Sequence, residues 1–493
     1  MIKNDILGLN IYAKILILYI NYKIPCFALV FVKILLYNSF IHISLKNFTL
    51  IYKTFFRGGL GMKFKKFLVT AFMATSFVFG LTGCAGGDDT SSDNANDGGG
   101  GGSTAATTIT LGVWQGSDVE PIILQELVSH FYAQTGIAVE IRTYHDYQTQ
   151  LQTELIGGVA PDVFYMDAFL LPSLADTGVI QPIDNFIAQT AGFDIDDFFA
   201  PALNAFIGPS GSLYGLPKDL STLGLFYNIE LLAYAGFTPD DIPTEIEAFP
   251  AFLLELQANL PDGVTAFASA AELARHMFLL EANGTEVVDA EGFAVLSQPD
   301  QLGALQLLMD GFHDGTVRRP ADLGHDWSGD SFGTQSVALM AEGNWAVEHV
   351  QVNFPGVVFG TRELPTINGN PGSMMFTVSY SINASSNNLE AAWAFVEFAT
   401  GREGMGIWAG GTGLLPTRQS VADDLQLYAD EVLAPFVAAA DYATPWQKGD
   451  TLPIVMREYN NLLPTVISGD MTLQEAMQVA EEAANLDIRT QLR

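Results

Sequence analysis

The chain is predicted to adopt an α/β fold with a mainly parallel sheet, built from the residues that follow position 107. Segments with a strand pattern alternate with segments with a helix pattern, and no internal repeat of fixed period is present. The length of 493 residues also provides two or three domain-sized units and enough apolar material for a large core.

The first part of the alternation is defined by apolar runs that end at glycines. Apolar residues recur at helical spacing up to Gly136, and a second helix pattern stops at Gly157 and Gly158. The predicted strands here are 108–114, 137–144 and 163–166, and the predicted helices are 121–135 and 147–156.

The same alternation continues to the end of the chain. The final helix opens with Thr472 as its N-cap and Glu475 three residues later, which is the pattern of a capping box. The predicted strands are 223–227, 337–340 and 379–383, and the predicted helices are 245–259, 389–400 and 472–492.

The charge of the chain excludes some classes of partner. There are 22 basic and 55 acidic residues, a net charge of −33, which argues against nucleic acid or anionic lipid as the main partner. Two cysteines exclude a disulfide scaffold and a cysteine-rich zinc site. Residues 85–493 alone hold 12 basic and 54 acidic residues, which fits either a saline habitat or an ordinary acidic exported protein.

Residues 62–84 have the organisation of a signal peptide. A basic start is followed by an uncharged, largely apolar stretch at 67–80, too short for a membrane span. The sequence Leu-Thr-Gly-Cys at 81–84 resembles the bacterial lipobox, which implies cleavage before Cys84 and a lipid on its thiol. The alternative is an ordinary apolar segment with a chance cysteine. The first interpretation predicts an exported protein anchored to the membrane through Cys84.

Two flanking segments do not have a globular pattern. Residues 1–61 are apolar runs interrupted by lysines, with no uncharged run long enough to span a membrane. They are interpreted as a spurious or disordered extension ahead of a true start at Met62, the alternative being a membrane-associated extension. Residues 85–106 are rich in Gly, Asp and Ser and are predicted to be a flexible tether of roughly 25 Å root-mean-square reach.

Several segments, taken in order, resemble one known family. They are ITLGVW with TGIAVEI, APDVFYMDAFLLPSLADTGVIQPID, YGLPKDLSTLGLFYNIELL, FGTQSVALMAEGNW, FTVSYSINASS with NLEAAWAFVEFAT, and GGTGLLPTR. Residues 109–492 thereby resemble the extracellular solute-binding proteins of the maltose-binding type, the receptors of carbohydrate ABC importers. The resemblance implies a two-lobed periplasmic-binding-protein-like fold of type II, with a ligand cleft between lobes joined by a hinge. It places lobe 1 at 107–221 plus 376–430 and lobe 2 at 222–375 plus 431–493.

A sugar site needs aromatic platforms and fixed polar groups, because sugars present apolar C–H faces and rings of hydroxyls. Trp345, at the end of AEGNW, matches the stacking tryptophan of the family, with a buried core aromatic as the alternative. Trp408, before a glycine-rich loop, fits either a second platform or core packing. Trp114 ends the first strand and is assigned to the core.

Polar candidates follow the predicted strands, where α/β proteins usually bind ligands. Gln115, Ser117 and Asp118 form either a ligand-binding loop or a plain turn. Asp167 either accepts sugar hydroxyls or is an exposed loop acid. Asp219 either binds ligand or pairs structurally with Lys218 or Arg418.

This sequence differs from the family pattern at one place where contact with the ligand is predicted. Phe376 and Thr377 stand where the family often has a Gly-Gly-aromatic approach, so the bulk of Phe376 predicts a pocket of different shape. Arg418 resembles a family arginine and is assigned to holding loops together. The segment at 325–327 (His-Asp-Trp) is assigned to a solvated loop, and the acids at 194, 196 and 197 to a charge cluster at the start of a helix.

The predicted function is binding without chemistry. No zinc-protease motif of the form H-E-x-x-H occurs in the sequence. The resemblance implies a monomeric receptor without a cofactor that captures a carbohydrate, foremost an oligosaccharide, by lobe closure and delivers it to ABC permease subunits. The alternatives are a polyamine or metal ion as ligand, a surface glycoside-processing enzyme with two flanking carboxylates, or an adhesin or sensor ectodomain on the same fold.

Overall fold

The computed structural model describes residues 107–116, 119–175, 177–282 and 284–491. The predicted extension, signal peptide and tether, together with Cys84, lie outside these residues, as do Ser117 and Asp118. In the described part of the chain, no helix is long and apolar enough to cross a membrane.

The described strands form one sheet in the order β2-β1-β3-β9-β4-β7-β5-β6, with β10 beside β9 and β8 beside β4. The strands are β1 (Thr108–Val113), β2 (Ala138–Thr143), β3 (Val163–Asp167), β4 (Gly215–Asn228), β5 (Thr265–Ala268), β6 (Val317–Arg318), β7 (Val337–Gly343), β8 (Phe359–Arg362), β9 (Met374–Ile382) and β10 (Thr444–Pro445).

Helices connect and cover these strands. Before β5 they are α1 (Glu120–Thr135), α2 (Tyr147–Gly157), α3 (Leu171–Ala175), α4 (Asp184–Gln189), α5 (Ala200–Asn204), α6 (Ile229–Tyr234) and α7 (Phe249–Asn259). After β5 they are α8 (Leu273–Glu281), α9 (Pro299–Asp314), α10 (Ser328–Gly333), α11 (Trp345–Asn353), α12 (Leu389–Ala399), α13 (Arg402–Thr412), α14 (Gln419–Asp424), α15 (Ala434–Ala439), α16 (Leu452–Ile467) and α17 (Leu473–Gln491). Short 3₁₀ turns lie at Ala168–Leu170, Pro239–Asp241, Ile246–Ala248, Pro320–Leu323 and Leu427–Ala429.

The predicted α/β alternation is confirmed in the first part of the chain. Strand β1 pairs in parallel with β2 and β3, and α1 supplies the crossover that parallel strands require. Helix α1 ends where Gly136 adopts a left-handed φ of 71°, a conformation that costs glycine little.

The sheet is mixed rather than mainly parallel, because β4 and β9 run antiparallel through its centre. Residues 215–222 of β4 pair with β9, and residues 223–228 pair with β7 and β8. The register shifts between Pro217 and Asp219, which is a β-bulge at Lys218. A single long strand therefore joins the two halves of the fold.

The apolar core is divided in the same way. One cluster of buried side chains draws on 109–216 and 380–421, and a second draws on 223–488. A third cluster contains residues from both sides of the crossing, including Leu220, Phe226, Leu415 and Phe436. We call the first two the amino-side and carboxy-side cores.

The last helix packs on its neighbour α16 as an amphipathic element. Its apolar side is buried in the carboxy-side core through Ala476, Ala480 and Ala484. The predicted capping box is confirmed: the backbone N–H of Glu475 donates to Thr472 Oγ1 at 3.2 Å, and that of Thr472 donates to Glu475 Oε2 at 3.1 Å.

Candidate ligand-binding site

Four aromatic side chains meet where the two crossing strands leave the two cores. Phe169 follows the carboxyl end of β3, yet it packs against the carboxy-side core. Its ring lies parallel to that of Trp446, with centroids 5.4 Å apart and planes at 4°. Phe376 lies 6.4 Å from Trp446 and 5.5 Å from Trp345, the latter edge to face. We call these residues the aromatic group.

The aromatic group is fixed by the local backbone. The Trp446 N–H donates to the carbonyl of Met375 at 2.8 Å, because β10 lies alongside the start of β9. Phe376 is the next residue of β9, and Trp345 begins α11 directly after β7. Strands from distant parts of the chain therefore bring these rings to one place.

Arg275 lies beside two of these rings. Its guanidinium carbon is 5.4 Å from the centroids of both Trp345 and Phe376, a cation–π arrangement. Its Nη2 lies 3.0 Å from Glu342 Oε1, and a second carboxylate, that of Glu272, is 3.4 Å from Nη1. Burial raises the pKa of Glu342, and Arg275 opposes this by lowering it. The arginine is thus held beside the two rings by two carboxylates.

A second charged group lies on the amino side of the crossing. The Lys218 ammonium pairs with Asp219 and lies 4.5 Å from the centroid of Tyr165 and 4.1 Å from that of Trp408. Trp408 Nε1 donates to Asp219 Oδ2 at 2.8 Å. Lys218 and Asp219 are 4% and 6% exposed, so the pair is almost fully removed from water. Paired charge and aromatic faces together offset part of the cost of this burial.

Charges from both halves of the fold approach this pair. Glu120 starts α1, and burial raises the pKa of its carboxyl group. The charge of Lys218 lowers this pKa, whereas the charges of Asp219 and Glu348 raise it. Glu348 belongs to α11, in the same helix as Trp345. The amino end of α1 and the first turns of α11 are therefore close enough for their charges to interact, and we take the space beside them as the candidate cleft.

A model of the bacterial extracellular solute-binding proteins matches residues 126–435. The chain belongs to this family. A maltotriose-binding protein of Pyrococcus abyssi is 22% identical over 329 residues, covering 65% of this chain and 69% of that protein.

Solved structures of sugar-binding proteins share the two-lobed fold of this solute-binding protein. The sugar-binding protein MalE of Xanthomonas citri superposes with a TM-score of 0.71 at 19% identity, covering 78% of this chain and 98% of the other. An ABC substrate-binding protein of Listeria monocytogenes in complex with cycloalternan gives 0.67 at 21% identity, covering 78% and 99%. At this identity the likeness establishes the fold.

The structure brings several of the predicted site residues of this solute-binding protein together. Trp345 and Phe376 are in edge-to-face contact, and both are partly exposed. Asp219 is paired with Lys218, one of its two predicted structural partners, whereas Arg418 pairs instead with Asp197 at 3.1 Å. The predicted sites are thus divided between the aromatic group and the Lys218–Asp219 pair.

Three predicted residues have structural contacts. The Trp408 indole is 1% exposed and packs in the amino-side core, which favours the core alternative. Thr377 is 3% exposed, and its hydroxyl donates to the carbonyl of Asp219 at 2.8 Å. Asp167 Oδ1 accepts from the Phe169 N–H at 2.9 Å and caps the 3₁₀ turn there, and burial raises its pKa. Each of the three residues therefore has a structural role in the fold.

The remaining predictions concern residues away from the aromatic group. Trp114 packs edge to face on Tyr147 and Tyr165, beside the amino-side core, as its assignment to the core requires. Gln115 is exposed at the end of β1. Arg418 donates to the carbonyls of Thr400 and Asp194 as well as to Asp197, so it connects loops.

Four residues of the candidate site are not among those that the sequence patterns predict: Phe169, Arg275, Trp446 and Glu120. Phe169 carried a usable signal, since it lies two residues after Asp167 at a strand end. Trp446 carried only its residue type. Among the described residues, no group of three His, Cys, Asp or Glu side chains could hold a metal ion.

Proposed function

We propose that this chain is an extracytoplasmic receptor that captures a carbohydrate, foremost an oligosaccharide, and delivers it to an ABC permease. The observation that carries the proposal is the aromatic group, whose rings come from both sides of the crossing and lie beside Arg275. Flat aromatic faces next to fixed polar groups suit the alternating C–H faces and hydroxyls of a sugar.

The proposed mechanism is closure of two lobes over the ligand. We assign lobe 1 to 107–221 plus 376–430 and lobe 2 to 222–375 plus 431–493. The change of strand partners between Thr222 and Leu223 supports this division, because one strand crosses there from one sheet region to the other. A ligand that contacts both lobes binds the closed form more tightly and shifts the population toward it.

The proposal extends to the location and partners of the protein. Cleavage before Cys84 and a lipid on its thiol would anchor a monomer to the membrane beside its permease, with 85–106 as tether. Binding without bond cleavage is part of the proposal, and two carboxylates at the crossing are each paired with a cation: Asp219 with Lys218, and Glu342 with Arg275. A glycosidase would use two carboxyl groups placed on either side of the scissile bond.

Calorimetric titration of the mature protein with malto-, cello- and manno-oligosaccharides tests the carbohydrate proposal. At least one series is expected to bind, and Trp345→Ala is expected to weaken that binding by roughly tenfold or more, as loss of a central aromatic anchor does. Tyr132→Ala is the matched control, because Tyr132 is 52% exposed on α1. Absence of heat with every sugar would overturn the proposal, and equal affinity of the Trp345 variant would remove that residue from the site.

A further inference from the structure

One face of Trp446 is already covered by a side chain of the protein itself. The Phe169 and Trp446 rings are parallel within 4° at a centroid separation of 5.4 Å, which is an offset stack. The Trp446 side chain is 9% exposed to solvent, and the Phe169 side chain is partly exposed. The phenyl ring of Phe169 therefore occupies the place where a ring of similar size would stack on the indole.

The position of Phe169 is fixed by its own turn. Asp167 ends β3, and its carboxylate accepts the Phe169 N–H at 2.9 Å, which caps the 3₁₀ turn at Ala168–Leu170. Ala168 is 1% exposed and anchors that turn in the amino-side core. Phe169 is thus presented by a well-anchored loop of one lobe to a tryptophan that packs with the core of the other.

Trp446 lies between Phe169 and Phe376 in the row of ring contacts. It follows β10, which pairs with the first residues of β9. Phe376 and then Trp345 lie progressively farther from Phe169 along the row of ring contacts. Phe169 is therefore the end of this row, and a ligand ring could stack on the covered face of Trp446 only by displacing it.

We propose that Phe169 closes one end of the row of aromatic rings and thereby limits the length of the ligand that the receptor accepts. This inference rests on the proposed carbohydrate-binding function and adds a specificity-determining residue to it. Removing the phenyl ring frees an indole face large enough for one more pyranose ring, whereas a branched aliphatic side chain keeps it covered. Phe169→Ala is therefore expected to bind a ligand one unit longer than the wild type prefers.

Calorimetry with linear oligosaccharides of two to five units, from whichever series the wild type binds, measures this effect. In Phe169→Ala the affinity for the oligosaccharide one unit longer than the wild-type optimum is expected to rise roughly fivefold to tenfold, the value of one aromatic stack. Phe169→Leu is expected to keep the wild-type order of affinities. An unchanged order in the alanine variant would overturn the inference while leaving the proposed function intact.

Two further measurements test the role of Phe169 separately from the proposed carbohydrate binding. Phe186→Ala removes a similar stack, on Trp393 at 5.6 Å within the amino-side core, and is expected to leave the length preference unchanged. Acrylamide quenching without sugar is expected to be stronger in Phe169→Ala than in wild type, and a Trp446→Phe substitution should remove that difference. Equal quenching would show that Phe169 does not cover Trp446 in solution, whatever the protein binds.

Discussion

Lys218 and Asp219 show how a charged pair is accommodated inside a crossing strand. The ammonium lies over the faces of Tyr165 and Trp408, and the carboxylate accepts the Trp408 N–H. The bulge in β4 at this point lets adjacent residues of the strand lie close enough to pair with each other. A pair of this kind does not add much to stability, but removing one partner alone would leave a buried charge uncompensated.

Glu281 is predicted to give the protein an unusual dependence of stability on pH. It lines a cavity of about 460 Å³ with Lys448 and Glu286, and its side chain is 7% exposed. Burial raises its pKa to about 7, although Lys448, 3.0 Å away, opposes the shift. Between pH 4.5 and about 7, the Glu281 carboxyl group keeps its proton in the folded state and loses it in the unfolded state. Its titration therefore lowers the free energy of unfolding as pH rises through this range.

Glu281→Gln removes that titration. Urea unfolding at pH 5, 6 and 7 is expected to show the wild type losing about 2 kcal/mol relative to the variant over this range. Glu286→Gln is the matched control, since Glu286 binds the same lysine from a position that is 58% exposed. A constant difference between wild type and Glu281→Gln across the three pH values would contradict the prediction.

The site residues that sequence patterns predicted are those that follow a strand or match a family motif. Trp345 and Phe376 belong to this class, and they do lie together. Phe169 also follows a strand, but its contact with Trp446 is not predicted, because that contact joins segments 277 positions apart and depends on how the crossing strands place two loops. Residue type and local pattern carry no information about such a contact.

At the scale of elements, periodicity predicted the strands and helices that are apolar on one face. The helix predicted at 121–135 is observed at Glu120–Thr135, and the strand predicted at 163–166 is observed at Val163–Asp167. Strand β4 was predicted only at 223–227, because its first half contains Pro217, Lys218 and Asp219, which argue against a central strand. The bulge and the Lys218–Asp219 pair are what make that half possible.

Gly224 is expected to fix the packing of α15 on β4. A Cβ at this position would lie 2.6 Å from the Phe436 ring, and Thr222 Oγ1 donates to the Phe436 carbonyl at 2.7 Å, so the helix has little room to move. Gly224→Ala is expected to lower the free energy of unfolding by about 1–3 kcal/mol through overpacking. Urea unfolding of the Gly224→Ala variant should show a lower midpoint at an unchanged m-value, which indicates a loss of stability.

Gly303→Ala provides the control for the Gly224→Ala substitution. Gly303 lies in α9 with no atom within 4 Å of an added Cβ, so Gly303→Ala is expected to be neutral or to stabilise by up to about 1 kcal/mol. Equal midpoints for Gly224→Ala and wild type would mean that α15 can shift on β4, contrary to the tight contact described above.

At the scale of the whole molecule, the dominant property is net charge. Residues 85–493 carry 12 basic and 54 acidic residues, and most described cations are already paired, as Arg418 is with Asp197 and Arg275 with Glu342. The remaining carboxylates repel one another and favour expansion of the chain. Because exposed ion pairs contribute little, screening by salt removes more repulsion than attraction.

The melting temperature is therefore expected to rise with sodium chloride, with most of the increase below about 0.5 M, where the Debye length shortens fastest. If salt acted instead by strengthening apolar burial, the melting temperature would keep rising steadily at higher salt concentrations. The variant that carries Glu126→Gln, Glu230→Gln, Glu390→Gln and Glu482→Gln replaces four exposed carboxylates, and it is expected to melt higher at low salt and to show a shallower salt dependence. A melting temperature that stays flat or falls between 0.02 and 0.5 M in the wild type would show that the acidic surface is balanced locally, and that its charge excess does not oppose the fold.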